Sequence, residues 1–294
     1  MASAPPLRIW LYSAVLATGV LALLTLMRWA PWRAPDMAIA LHTQQFLAAP
    51  AAPGNVRVLA LGSSLLWAST PPGQLSVIPG IEWMRMTKPG TGIGYLKPSL
   101  EEIAHFPPDV LVIDENLLAP EPNGVLAEAL RQDFILTIKG WAYRLTGQQW
   151  FAPGPQYVAL LDQHAAFPCD TITAAMPQQK RAAVRAEIKS WFSKGLVDRE
   201  LSDQLRRLSH RGVRIVLLEL RRSEPVEQSI AAEKKGWQMR LRQVLPPGPA
   251  IRYLATPASA QANLYCDGSH MNAQGARLFA PWWQAQLQQL RDGR

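Results

Sequence analysis

Short apolar runs alternate with amphipathic stretches and turn residues along most of the chain. Such runs, rich in aliphatic residues and bounded by Gly, Pro or polar turns, are typical of buried strands. The runs at 82–87 and 109–113 are joined by a glycine-rich loop and a helix, and this βαβ pattern favours a parallel sheet. The predicted strands are 56–61, 82–87, 109–113, 213–220 and 251–254.

Apolar residues at helical spacing predict helices between these strands. Ser99 and Glu102 form a capping box, which predicts that a helix begins there and ends near His105. Residues 119–195 are interpreted mainly as a helical insertion, with one helix at 126–145. The other predicted helices are 180–192, 198–210, which ends at Gly212, and 273 to about 290.

The N-terminal segment differs from the rest of the chain. Residues 9–27, from Ile9 to Met27, contain no charged side chain, and about 20 apolar residues suffice to span a bilayer. The sequence therefore predicts an uncleaved transmembrane signal anchor in residues 1–35, a Pro- and Ala-rich linker with a short helix in 36–54, and one α/β domain in 55–294. Basic residues flank the apolar segment on both sides, so the charges do not fix its orientation.

Two short motifs suggest chemistry. Gly62, Ser63 and Ser64 end the first strand, and a helix follows at once. This places the Ser64 hydroxyl at the carboxyl edge of a parallel sheet, beside backbone N–H groups that can stabilise a negative charge. Far along the chain, Asp267 and His270 stand three residues apart before the last helix, where His270 can act as a general base oriented by Asp267.

Together these motifs resemble the SGNH (GDSL-type) hydrolase family. The family's first block, Gly-Asp-Ser-Leu, is matched by Gly62-Ser63-Ser64-Leu65, and its last block, Asp-x-x-His, by Asp267-Gly268-Ser269-His270. The resemblance covers roughly residues 56–290. It implies a three-layer α/β/α sandwich with a mainly parallel sheet, and a serine acyl-transfer enzyme with Ser64 as nucleophile, His270 as base and Asp267 as its partner.

The resemblance also implies an oxyanion hole. Family members carry Gly-x-Asn-Asp after the third strand, and Asn116 occupies the matching place in Asp114-Glu115-Asn116-Leu117, although the flanking Gly and Asp are absent. A glycine N–H after the second strand completes the hole in the family. Gly92 fits that offset best and Gly90 second, and the sequence leaves both open.

Charge, motifs and cysteine content indicate which ligands and partners the chain can bind. The net charge is +8, which suits a solvated basic face or attraction to anionic glycan or lipid headgroups. We find no nucleic-acid-binding motif, no cofactor-binding motif and no ligand spacing typical of zinc, and we expect no cofactor and no metal. Two cysteines, Cys169 and Cys266, leave open one disulfide or two buried thiols.

The expected function follows from the resemblance. Membrane-anchored proteins of this kind resemble enzymes that add or remove O-acetyl groups on exported polysaccharides, so we expect a bacterial inner-membrane protein with its catalytic domain in the periplasm. An envelope glycan is the expected substrate, and a membrane acyl-donor protein is a possible partner. A catalytically silent glycan-binding or scaffold subunit and a lipase or lysophospholipase are the alternatives. Glu219, Arg221 and Arg222 lie at the carboxyl end of the fourth strand. We expect them to form ion pairs there, with substrate contact as the alternative.

Overall fold

The structure is a computed structural model. It describes residues 7–29, 46–49, 51–71, 73–75, 77–88, 91–119, 167, 178–194, 199–257, 259 and 261–293. The predicted helix at 126–145, most of the linker and the glycine at position 90 lie outside the described residues.

The described residues form a five-stranded sheet in the order β2-β1-β3-β4-β5, and every neighbouring pair is parallel. The predicted α/β class with a parallel sheet is therefore confirmed. Each strand lies within one or two residues of its predicted bounds. The strands are β1 (Val56–Gly62), β2 (Ile81–Thr87), β3 (Val110–Asp114), β4 (Arg214–Glu219) and β5 (Ile251–Ala255).

Helices cover both faces of this sheet. Side chains alternate along each strand, so in β1 Leu59 and Leu61 face one apolar core while Val58 and Ala60 face the other. The helices are α1 (Leu7–Trp29), α2 (Ser64–Ser69), α3 (Ile93–His105), α4 (Gln178–Lys194), α5 (Arg199–His210), α6 (Glu224–Val244) and α7 (Ala273–Arg291). The first core is closed by α3, α4, α5 and α6, and the second by α2 and α7.

Two helices differ from the predictions. The predicted capping box at Ser99 is wrong, because α3 begins at Ile93 and the Ser99 hydroxyl donates to the Tyr95 carbonyl one turn earlier. A serine inside a helix commonly makes this bond, and its side chain then caps nothing. The 21-residue helix α6 was not predicted, although Pro225 near its start and two glutamates in its first turn are typical of a helix N-terminus.

The segment predicted as a membrane anchor is helical and forms α1. Within the described residues, however, no helix is long and apolar enough to cross a membrane. The structure therefore does not support the predicted transmembrane helix.

The parallel topology determines where the functional residues meet. All the strands point the same way, so the segments that follow them lie at one edge of the sheet. Ser64 follows β1, the segment containing Gly92 follows β2, and Asn116 follows β3. Arg222 follows β4, and the Asp267–His270 turn comes after β5.

Candidate active site

The turn that carries Ser64 is tight because two small residues precede it. A Cβ placed on Gly62 would lie 2.2 Å from the Cβ of Leu66, so only glycine lets α2 start against β1. Ser63 caps α2, and its Oγ accepts a hydrogen bond from the Leu65 N–H. Ser64 is consequently the first residue of the helix, at the carboxyl end of β1.

A buried carboxylate, Asp114, holds this turn to the end of β3. Its Oδ2 accepts from the Ser63 backbone N–H at 3.1 Å and from the Ser63 Oγ–H at 2.6 Å. Its Oδ1 accepts from the Asn116 backbone N–H at 2.9 Å and from the Asn116 side-chain amide at 2.6 Å. One carboxylate therefore fixes both the turn that carries Ser64 and the predicted oxyanion residue, a role of Asp114 that no sequence pattern indicated.

Ser64, His270 and Asp267 form a continuous hydrogen-bonded chain. Ser64 Oγ lies 2.8 Å from His270 Nε2, and His270 Nδ1 lies 2.8 Å from Asp267 Oδ2. With Nδ1–H donating to the carboxylate, Nε2 is free to accept the Ser64 proton. The structure thus brings together the three residues predicted as nucleophile, base and orienting acid, from opposite ends of the domain.

The Asp267 carboxylate is held ionised by its own turn. Its Oδ1 accepts from the backbone N–H groups of Ser269 and His270, at 2.9 and 2.8 Å. Partial burial raises the pKa of Asp267, but the hydrogen bonds and charge of His270 and the two backbone donors outweigh burial, and the net pKa lies well below its ordinary value. Gly268 makes the turn possible, since its φ of +82° is unfavourable for other residues.

Phe167 contacts His270 and was not identified from the sequence. Its ring stacks on the His270 imidazole, with centroids 4.9 Å apart and planes 7° from parallel, and meets the Trp67 ring edge-on at 5.4 Å. This apolar contact limits rotation of the imidazole and covers one face of it. Phe167 lies in the predicted insertion, where no motif distinguished it from a core aromatic.

A covalent constraint lies next to the same turn. Cys266 is disulfide-bonded, which selects the bridge over the two free thiols that the sequence left open. Because Cys266 directly precedes Asp267, the bridge restrains the turn that carries Asp267 and His270.

The predicted oxyanion donors lie at the ends of three adjacent strands. Ser64 N–H stands at the first turn of α2, and Gly92 is the residue that precedes α3, with its carbonyl accepting from Tyr95 and Leu96. Among the described residues, neither the Ser64 nor the Gly92 N–H has an acceptor within the protein. Asn116 is buried and joins the nucleophile turn through Asp114 rather than directly.

Arg222, expected as an ion-pair partner or a substrate contact, is buried against the predicted oxyanion residue Asn116. Its guanidinium donates to the Asn116 Oδ1 at 2.9 Å, and its exposed fraction is 2%. Burial lowers the pKa of Arg222, and the nearby carboxylates of Glu227, Asp114 and Asp267 oppose that shift. Arg221, by contrast, is partly exposed and pairs with Glu219 at 3.2 Å, the ordinary ion pair of a strand end.

A second carboxylate beside the site, Glu115, is shifted towards its neutral form. Burial and the negative charge of Glu219 raise the pKa of Glu115 from 4.5 to about 7, although Gln238 donates to it at 3.3 Å. Lys234 instead lies closer to Glu219, with Nζ 2.8 Å from its carboxylate. Between pH 4.5 and about 7, Glu115 is therefore mostly protonated in the folded protein and mostly ionised in the unfolded chain.

Replacing Glu115 by glutamine is expected to remove a pH-dependent loss of stability. A folded-state pKa above the unfolded value makes stability fall as pH rises from about 4.5 to about 7, by roughly 3 kcal/mol in total. Glutamine keeps an acceptor for Gln238 and carries no charge. The unfolding free energy of Glu115→Gln, measured in urea between pH 5 and 8, should exceed that of the wild type by an amount that grows with pH.

The exposed Glu101 offers a matched control for this measurement. Glu101→Gln also removes one carboxylate and should leave the pH profile of stability parallel to the wild type. Parallel profiles for Glu115→Gln as well would show that Glu115 is ionised without cost in the folded protein.

Among the described residues, no three His, Cys, Asp or Glu side chains lie together in a way that could hold a metal ion. The three residues of the site are a hydroxyl, an imidazole and a carboxylate linked in series, an arrangement suited to moving a proton away from Ser64.

Comparison with known proteins adds little to this geometry. No protein-family model and no curated protein matches the chain. Among solved structures, the chain is similar to a structure described as a family two carbohydrate esterase from Cellvibrio japonicus, at 12% identity and a TM-score of 0.35. The match covers 83% of this chain and 64% of that one. A likeness this distant carries no functional argument.

Proposed function

We propose that the protein is a serine acyl-transfer enzyme that acts on O-acyl esters, with O-acetyl groups of an exported or envelope glycan as its substrate class. The observation that carries this proposal is the hydrogen-bonded chain from Ser64 through His270 to Asp267, with 2.8 Å at each side-chain step. The glycan and the acetyl group are supported by the sequence resemblance and by the basic net charge of +8.

The reaction begins with Ser64. Its Oγ attacks the ester carbonyl while the hydroxyl proton passes to His270 Nε2, and the bond from Oγ to the carbonyl carbon forms as the carbonyl becomes an oxyanion. Collapse of this intermediate breaks the ester bond. The leaving sugar oxygen takes the proton from His270, and the acyl group stays on Ser64.

The second half of the reaction regenerates the enzyme. Water or another sugar hydroxyl gives its proton to His270 and attacks the acyl-serine, which releases the acyl group as an acid or transfers it to the sugar. Esterase and acetyltransferase share every residue of this scheme and differ in the acceptor. An acetyltransferase needs an acyl donor, for which a membrane protein is the proposed partner.

The oxyanion is proposed to be held by three groups at the carboxyl edge of the sheet. These are the Ser64 N–H, the Gly92 N–H and the side-chain amide of Asn116, with Gly90 as the alternative glycine. The unpaired state of the first two N–H groups among the described residues supports this assignment.

A fluorophosphonate probe tests the proposal directly, because it reacts with an activated serine and not with an ordinary one. The wild type should be labelled, whereas Ser64→Ala and His270→Ala should not. Hydrolysis of acetyl, butyryl and long-chain p-nitrophenyl esters, measured in parallel, should be fastest for the acetyl ester. Release of acetate from an acetylated polysaccharide would then identify the glycan substrate.

Each other outcome points to one of the alternatives. A folded wild type that neither reacts with the probe nor hydrolyses any ester would overturn acyl transfer, and polysaccharide binding by that inactive protein would support the scaffold alternative. A clear preference for long acyl chains would favour a lipase over an enzyme acting on acetyl groups.

We also propose that the domain works in an oxidising compartment, the bacterial periplasm. The disulfide at Cys266 supports this location, since structural disulfides persist mainly outside the cytosol. Thiol trapping of the protein in intact cells should leave Cys266 unmodified before reduction. A free thiol at Cys266 in the native protein would contradict the proposal.

A further inference from the structure

The turn after β4 lies between the two halves of the site. The Ser223 N–H donates to the Gly268 carbonyl at 2.9 Å, which joins this turn to the turn that carries Asp267 and His270. The Arg222 guanidinium reaches in the other direction, to Asn116 after β3. Arg222 thus belongs to a segment that touches both the triad turn and the proposed oxyanion residue.

The position of Arg222 is fixed by its surroundings. Its backbone N–H donates to Glu227 Oε1 at 2.8 Å, and Glu227 in turn is bonded to the buried Lys234. The side chain has no room to swing outward, because Arg222 is 2% exposed. The bonded main chain and the burial of the side chain together restrict where the guanidinium can lie, which is not so for an exposed lysine or arginine.

The hydrogen bond from Arg222 determines the orientation of the Asn116 side-chain amide. A side-chain amide can flip by 180° and exchange its oxygen for its nitrogen. At Asn116 the oxygen accepts from Arg222 and the nitrogen donates to Asp114, so both ends are matched and a flip would break both bonds. A cation bonded to the amide oxygen also polarises the amide and strengthens its N–H groups as donors.

We infer that Arg222 is a positioning residue for the oxyanion hole: it fixes and polarises the Asn116 amide so that its second N–H can donate to the oxyanion. This inference rests on the proposed function. Arg222 touches no reacting atom in this scheme and acts through Asn116 alone.

A double-mutant cycle tests the inference. Asn116→Ala should lower kcat for an acetyl ester by about 10²–10³-fold with little change in KM, the range for loss of one oxyanion donor. Arg222→Met should lower kcat as well, and by no more than Asn116→Ala. In the Asn116→Ala background, Arg222→Met should change kcat by less than about twofold, since its effect has already been lost.

A purely structural role would give a different pattern. Arg222→Met would then reduce kcat by the same factor in both backgrounds, and that additive result would overturn the inference. Arg221→Met is the matched control, because Arg221 is the neighbouring arginine, is partly exposed and pairs with Glu219. Its kcat should stay within about twofold of the wild type, as for a substitution independent of the site.

Two additions keep the test decisive. Arg222→Lys retains the buried positive charge and goes through the same cycle if Arg222→Met does not fold, with the same non-additivity expected. The side-chain amide signals of Asn116, assigned by their loss in Asn116→Ala, should shift in the ¹⁵N–¹H spectrum of the Arg222 variants and not in that of Arg221→Met. Unchanged signals would overturn the inference even if the wild type had no esterase activity, an outcome that would count separately against the proposed function.

Discussion

Ser64→Ala is expected to lower the turnover of an acetyl ester by on the order of 10⁶-fold, the loss typical of removing the nucleophile of a serine triad. The reason is local, because the hydrogen bond described for the Ser64 hydroxyl goes to His270 Nε2 and contributes little to holding the turn together. Circular dichroism and thermal unfolding should therefore match the wild type while initial-rate assays detect no acyl transfer. Activity within tenfold of the wild type would remove Ser64 from the mechanism.

The adjacent serine provides the matched control. Ser63 caps α2 and donates to Asp114, so Ser63→Ala removes a structural bond and leaves the Ser64 hydroxyl in place. Loss of such a cap costs about 1 kcal/mol of stability. Ser63→Ala should unfold at a lower temperature than the wild type and still react with a fluorophosphonate. Ser64→Ala should unfold at the wild-type temperature and should not react. Two neighbouring serines would then be separated into a structural role and a chemical one.

The sequence predicted the sheet well for a physical reason. Strands buried on both faces are continuous apolar runs, and each run here coincides with a strand to within one or two residues, as with 109–113 and β3 (Val110–Asp114). The helices were harder because their boundaries depend on capping. Ser99 has the residues of a capping box around it, yet α3 begins six residues earlier, where Gly92 leads out of the loop after β2.

The three residues that the structure joins by hydrogen bonds, Ser64, His270 and Asp267, were also identifiable in advance. Ser64 ends a strand–turn–helix pattern, and Asp267 and His270 have the spacing that lets a carboxylate reach an imidazole within one turn. These are local patterns, and a local pattern is visible in sequence. The structure adds the distance between them, since only the fold brings Ser64 Oγ to 2.8 Å from His270 Nε2 across 206 positions.

The residues that support the site were not identifiable, because their partners are distant in sequence. Asp114 bonds Ser63 from 51 positions away, and Arg222 bonds Asn116 from 106 positions away. Asp114 ends β3 and Ser63 follows β1, so only the pairing of these strands brings the two residues together. Phe167 has no pattern around it at all, and its role depends on how its ring meets His270.

Asp267→Asn is expected to lower kcat by about 10⁴-fold, the effect of forcing the wrong histidine tautomer in a serine triad. The asparagine oxygen can still accept from the Ser269 and His270 backbone N–H groups, so the turn should keep its shape. Its NH₂ group faces His270 Nδ1 in place of an acceptor, which leaves the ring proton on Nε2. A protonated Nε2 cannot take the proton of Ser64, so attack on the ester becomes slow.

The same substitution should change how stability depends on pH. The pKa of Asp267 is lower in the folded protein than the ordinary value of 3.8, so its contribution is present above that value and is lost as pH falls through the folded-state pKa. Asp267→Asn should therefore be less stable than the wild type at neutral pH, with a difference that shrinks in acid. Asp292→Asn is the control, because Asp292 forms an exposed pair with Arg291, and it should change neither kcat nor this profile measurably.

If Asp267→Asn retained wild-type kcat, His270 would not need Asp267 to hold its tautomer, and the site would work as a Ser64–His270 dyad.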